Sequence, residues 1–203
     1  MSKKGDTFEN PRTGEYGYMR LGTEDTNGEL VISDMRLRPG GAVVGAHVHS
    51  AIHERFTVLE GKIGYRLGDQ TGVATSGDVL DVPPNVVHDW WNAGDEEARI
   101  IVEIRPAARF EQLIVTMFGL AYTGKTNAQG LPNILQMAVI SQEFEDVVQF
   151  VNPPIWVQKA LFGILAPIGR AVGYKAHYPE FLEIPRETAA ELEPLPDWVE
   201  LNL

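Results

Sequence analysis

Apolar residues recur along the chain with two different periods, and the change falls near Pro106. Before it, short apolar runs alternate with turn sequences. The runs are Leu30 to Leu37, Phe56 to Leu59, Ile63 to Leu67, Asp78 to Val82 and Arg99 to Ile104. Between them stand Arg-Pro-Gly-Gly, Glu-Gly-Lys, Gly-Asp-Gln, Ser-Gly-Asp and Ala-Gly-Asp. Runs of this length bounded by turn residues predict strands, and their close spacing without intervening helix predicts an antiparallel sandwich or barrel. Beyond Pro106 the spacing lengthens: Phe110, Leu113, Ile114, Met117, Phe118 and Ala121 trace the stripe of an amphipathic helix. A second helix is predicted from about Pro132 to Phe150, with Pro132 in its first turn. A third opens at Pro153-Pro154 and runs to about Gly173, with a kink or break at Pro167. The polar stretch 1–27, rich in Gly, Thr and Asn, predicts an arm with room for one edge strand, and the acidic, proline-punctuated Glu183 to Leu203 an irregular tail. The expected organisation is thus an arm (1–27), a β domain (28–105) and a helical extension (106–203), a mainly β fold with about three C-terminal helices.

Composition narrows the chemistry. The 203 residues, 44% of them hydrophobic, suffice for one sizeable core or two small ones. A net charge of -11 would repel phosphate backbones and argues against nucleic acid as a partner. There is no cysteine, which removes disulfides, thiolate metal sites and cysteine nucleophiles. Met1 to Asn10 is polar and lacks the apolar core of a secretory signal. The most apolar stretch, Ile155 to Ile168, is interrupted by Gln158, Lys159 and Pro167 and falls short of the roughly 18–20 residues of a span. A soluble, cytoplasmic protein is the expectation.

Four of the five histidines fall inside the β zone, at His47, His49, His53 and His88. Strand alternation places His47 and His49 on one face, Glu54 can supply a carboxylate from the next strand, and His88 arrives separately. Three neutral imidazoles and one carboxylate make a mixed N/O site suited to one divalent transition metal per chain: Fe, Mn, Ni, Co, Cu or Zn. His53 should point away from Glu54. Phe56 and Val58 alternate in phase with Glu54, and Trp90 in phase with His88, so these three are the candidate lining of a substrate pocket or simply barrel core. Arg36 and Arg38 share a strand face, where they either clamp an anion or sit solvated on an edge.

These residues resemble the two motifs of the cupin superfamily, G-x5-H-x-H-x4-E-x6-G and G-x5-P-x-G-x2-H-x3-N. The first is matched by Gly41, His47, His49, Glu54 and Gly61, and the second by Gly77, Pro83, His88 and Asn92, with Asn85 where the motif has Gly. Asn is the next-best residue for a left-handed turn. The resemblance implies a double-stranded β-helix, or jelly-roll barrel, over residues 28–105, with His47, His49, Glu54 and His88 as metal ligands. It says little about reaction, because the fold hosts many. One expectation is a metal-dependent enzyme acting on a small, partly apolar organic substrate, an oxygenase resembling quercetinase-like cupin dioxygenases or a Lewis-acid isomerase. The other is a non-catalytic metal or small-ligand binding module acting through its helical extension. A homodimer is expected because small barrels leave strand edges to cover, and the arm 1–27 could add a strand to a neighbour. The apolar faces of the helices after Pro106 must find a surface: the barrel, whose mouth the third helix could roof, a partner or, as the weaker alternative, a membrane.

Overall fold

Each predicted apolar run becomes a strand. Leu30–Leu37 forms β3 (Val31–Leu37), Phe56–Leu59 lies in β5 (His53–Glu60), and Ile63–Leu67 lies in β6 (Lys62–Leu67). Asp78–Val82 contains β8 (Val79–Val82), and Arg99–Ile104 lies in β10 (Ala98–Arg105). Five strands carry weaker alternation and complete the set up to β10: β1 (Thr7–Asn10), β2 (Glu15–Leu21), β4 (His47–Val48), β7 (Gln70–Thr75) and β9 (His88–Asn92). The computed structural model describes residues 1–43, 45–186 and 192–203.

The strands form two sheets. One runs β1-β2-β3-β10-β5-β8, and the other runs β11-β4-β9-β6-β7, where β11 is Gln149–Phe150. All pairings are antiparallel. Their inward faces enclose one core that includes Val31, Met35, Leu37, Phe56, Val58, Ile63, Trp90, Ile100, Val102 and Ile104. This is the double-stranded β-helix.

The sheets draw strands from both sides of the 28–105 span. The N-terminal stretch, expected as an arm with room for one edge strand, supplies two paired strands to its own barrel, with Tyr16 opposite Arg36 and Met19 opposite Ser33. Its first residues are strapped to the helices: Ser2 gives the Glu111 carboxylate a backbone bond of 2.8 Å and a hydroxyl bond of 2.5 Å.

Helix α1 (Ala108–Tyr122) packs its predicted stripe, including Leu113 and Phe118, onto the barrel core. Helix α2 (Ile134–Glu143) is shorter than expected at both ends. Asn133 caps it, its side chain accepting from the Leu135 and Gln136 N–H groups, so Pro132 stays outside. At the far end the chain leaves the helix at Phe144, turns through 144–147 and enters β11 at Gln149. Helix α3 (Ile155–Ala171) is not broken at Pro167, because the carbonyl that the proline frees belongs to exposed Gly163, where water can reach it. The cavity described below is roofed by α1 and α2; no residue of α3 lines it. In the tail, 187–191 lie outside the described residues. From Leu192 on it crosses the outer face of the larger sheet, where Leu195, Val199 and Leu201 pack on Leu30, Ile32, Leu59 and Ile101.

Candidate metal centre

His47 and His88 face each other across β4 and β9, His49 follows one turn of the pleat later, and Glu54 projects from β5. The local chain is bent to allow this by Asn85, which adopts φ 67, the left-handed conformation a glycine would otherwise supply. Its N–H donates to the His49 carbonyl at 2.7 Å, tying the His88 loop to the His49 loop. All four side chains are buried, and one ligand atom from each lies within 4.8 Å of every other. Ligands sharing an ion at ~2.1 Å lie up to ~4.2 Å apart, so small side-chain rotations close the set on a cation.

Three backbone carbonyls fix the tautomers. The Nδ1–H groups of His47, His49 and His88 donate to the carbonyls of Gly45 (2.9 Å), Val147 (2.6 Å) and Val86 (3.0 Å). A carbonyl only accepts, so the proton sits on Nδ1 and each Nε2 is left with a lone pair aimed inward. His88 Nε2 and Glu54 Oε2 are 2.8 Å apart, and His49 Nε2 and Glu54 Oε1 are 3.6 Å apart. Despite that proximity, His49 Nε2, His88 Nε2 and Glu54 Oε2 are buried without a well-directed hydrogen bond. Lone pairs converging in a buried pocket would be satisfied by a cation, proton or metal, and an N3O donor set could hold a divalent transition metal.

Electrostatics point the same way. Burial, followed by the neighbouring His88 charge, pushes His47 down to about 4, which keeps it neutral and ready to ligate. Burial alone would raise Glu54, but the three imidazoles, His88 foremost, outweigh it and hold the carboxylate ionised below its ordinary range. Burial would also lower His88, yet Glu54 beside it prevails and raises it. These are the directions expected of a site whose cation, proton or metal, is shared between His88 and Glu54.

A cavity of about 160 Å³ opens onto His47, His49 and Glu54. Phe56 and Trp90 line it, with ring centroids 5.7 Å apart. Val58, expected beside them, does not line it: two residues further along β5, it is completely enclosed in the barrel core. The sequence pattern gave no sign of the remaining wall. Phe110 of α1 meets the edge of the His49 ring at 5.6 Å, Phe150 of β11 lies 6.4 Å from the His47 ring, and Ile140 and Phe144 come from the α2 region. Only the amphipathic stripe of α1 signalled that this helix needed a surface.

The other candidates lie elsewhere. His53 points away from the centre and pairs with Asp81 at 3.0 Å on the barrel rim. Arg36 pairs with Glu97 at 3.1 Å and Glu193 at 2.8 Å, and Arg38 with Glu9 at 2.9 Å; neither lines the cavity.

Residues 33–104 match the family model described as a cupin domain. That region is a domain of the cupin superfamily. Among solved structures, this cupin is similar to an RmlC-like cupin from Shewanella frigidimarina, with 25% identity over 51% of this chain and 86% of that one and a TM-score of 0.43. It is also similar to a predicted oxalate decarboxylase from Thermotoga maritima (22%, 52% and 98%, 0.43) and to KdgF from Halomonas (15%, 51% and 91%, 0.44). No curated protein matches the chain. Among the described residues, no helix is long and apolar enough to cross a membrane.

Proposed function

We propose that this cupin is a divalent-metal-dependent dioxygenase acting on a small, largely apolar molecule that carries an enol, diol or diketone oxygen. The observation that carries the reading is the cavity joined to the four-ligand centre. At about 160 Å³ it is close to the size of an apolar protein cavity that accepts benzene, so a single-ring or similarly compact molecule fits. Its walls near the centre are aromatic or aliphatic (Phe56, Trp90, Phe110, Ile140), which leaves the metal as the main polar handle for orienting a substrate oxygen.

His47, His49, Glu54 and His88 would hold the ion, which when bound supplies Lewis acidity and, if redox-active, one-electron chemistry with dioxygen. The residues around it orient the substrate and exclude water. Two further buried carboxylates border the cavity, but both are engaged by hydroxyl groups: Glu15 by Thr13 at 2.5 Å and Glu111 by Ser2 and Thr23, each at 2.5 Å. A Lewis-acid isomerase would draw on such a carboxylate to move a proton between carbons, whereas oxygenation asks only for the metal and an apolar wall around the substrate, and we favour oxygenation on that ground. The test is oxygen uptake by the Fe(II)-loaded protein on a panel of catechols and β-diketones, with product analysis. Uptake dependent on one of these substrates is expected. Turnover of the same compounds without oxygen would establish the isomerase instead.

One contact favours the non-catalytic binding module as a second reading: the His49–Val147 bond joins the centre to the helical extension. Saturable ligand binding to the metal-loaded protein with no turnover would establish it.

A further inference from the structure

The segment 146–151 belongs to the helical extension, yet it runs antiparallel along the ligand-bearing residues 46–50. Its Gln149 and Phe150 pair with Val48 and His47. The Val151 N–H donates to the Ala46 carbonyl at 3.1 Å, the Ser50 hydroxyl to the Asp146 carbonyl at 2.9 Å, and His49 Nδ1–H to the Val147 carbonyl at 2.6 Å. On its other side, β4 meets β9 through the single register pair His47–His88. A two-residue strand with one such pair has little of its own to hold two metal ligands in place. Arg109 of α1 anchors the segment in turn, donating to the Glu143 carbonyl at 2.6 Å and to Asp146 at 2.9 Å.

We propose that residues 146–151 are the outer shell of the metal centre: the Val147 carbonyl sets the His49 tautomer, and β11 positions His47 and His49 for ligation. This rests on the metal reading above. Ser50 and Val151 are both exposed, so Ser50→Ala and Val151→Pro each remove one tie without touching a ligand or the core. Outer-shell losses at metal sites commonly cost 10- to 100-fold in affinity. The test is Co(II) titration of apoprotein, read by visible absorption and by metal content, beside the thermal midpoint of the apo form. Ser50→Ala with Val151→Pro should weaken Co(II) binding at least tenfold and alter the Co(II) spectrum, while Ser50→Thr, which retains the hydroxyl, should bind like wild type. An affinity within twofold of wild type for Ser50→Ala and for the folded double variant would overturn the proposal. Failure of wild type to take up Co(II) would overturn the metal reading along with it.

A second inference comes from α3 alone. Trp156 (72% exposed), Ala160, Ile164 (67%), Ile168 (47%) and Val172 (63%) follow one another at four-residue intervals on its outer face, with Gly163 open beside them. No charge interrupts that row. The cations flanking it are paired: Lys159 meets Glu145, in the turn after α2, at 2.5 Å, and Arg170 approaches Glu143, at the end of α2, at 3.8 Å. They are therefore engaged and poorly placed to grip lipid phosphates, and the net charge of -11 further opposes an anionic bilayer. An uncharged row of this kind is complementary to itself, as a two-fold interface requires. These side chains are contiguous and uncharged, more than the scattered apolar residues an isolated surface carries, and a second copy of the same row would cover them.

We infer that α3 is the homodimer seam, with the two helices packed face to face through this row. Sedimentation equilibrium should show a dimer at tens of micromolar, and Ile164→Glu should convert it to monomer with Co(II) uptake unchanged. A monomer at 100 μM would overturn the inference. Co-sedimentation of that monomer with phosphatidylcholine vesicles would assign the row to a lipid surface instead.

Discussion

Replacing Glu15 by glutamine should stabilise this protein more at pH 8 than at pH 4.5, relative to wild type. Glu15 is 4% exposed on the inner side of β2, where its carboxylate accepts a hydrogen bond from the Thr13 hydroxyl. Burial, partly offset by that bond, pushes its pKa from 4.5 up to about 7. Below pH 4.5 the carboxyl is protonated in both folded and unfolded chains, and its burial carries no charge penalty. Between 4.5 and 7 the unfolded chain has released its proton while the folded one keeps it, so stability falls as pH rises. Above about 7 the full cost is present. At ~1.4 kcal/mol per pH unit, the gap amounts to about 3 kcal/mol. The neutral amide has no such dependence. Any fixed penalty for its unpaired N–H group is the same at every pH and cancels from the slope. Urea denaturation of both proteins from pH 4.5 to 8, with chelator present, measures the difference directly. It should move by about 3 kcal/mol in favour of the Glu15→Gln variant as pH rises, which in a domain of this size is roughly 6–12 °C in thermal midpoint. A difference constant to within ~1 kcal/mol across the range would refute the reasoning, and Glu15 would then have to be solvated or paired in solution.

His88→Ala should abolish stoichiometric metal content while circular dichroism reports an intact barrel, whereas His53→Ala, on the rim, should leave metal content unchanged. Metal affinity should already decline as pH drops through the ordinary imidazole range, because His88 holds its proton above the usual value and must release it to ligate; His47, pushed down to about 4, adds its competition only in more acidic solution. Potentiometric proton release on metal binding, measured at several pH values, checks both. Gly119→Val should destabilise by roughly 1–3 kcal/mol through overpacking, since even a Cβ there would lie 2.1 Å from the Phe181 ring; thermal unfolding reads it.

The centre was legible because it is local in sequence. His47, His49 and Glu54 sit within eight residues, and strand alternation converts that spacing into a shared direction. Asn85 could be read as a glycine substitute, and its positive φ agrees. The same alternation misplaced Val58, because facing inward on a strand does not say whether a residue meets the cavity or the closed core two residues deeper. Strand β11 escaped notice for a different reason. It is two residues long, and its strand partner is β4. A pairing whose partners lie about 100 positions apart leaves no periodic trace. The end of α2 was misjudged on the same account: Phe144, Val147 and Val148 continue an apolar pattern, but that pattern serves the barrel core and not a helix face. The N-terminal strands were hidden by Glu9, Asn10, Thr13 and Glu15, polar residues that are buried all the same.

The Val147–His49 bond joins residues 98 positions apart. On a ribosome the three histidines and Glu54 emerge long before the carbonyl that orients one of them. A nascent chain can therefore assemble most of the barrel and still present an incompletely organised centre until α1, α2 and β11 have followed. If the centre takes up a metal, its capture would be a late event in biogenesis, coupled to synthesis through β11, and a chain that stalls before β11 would hold the ion poorly.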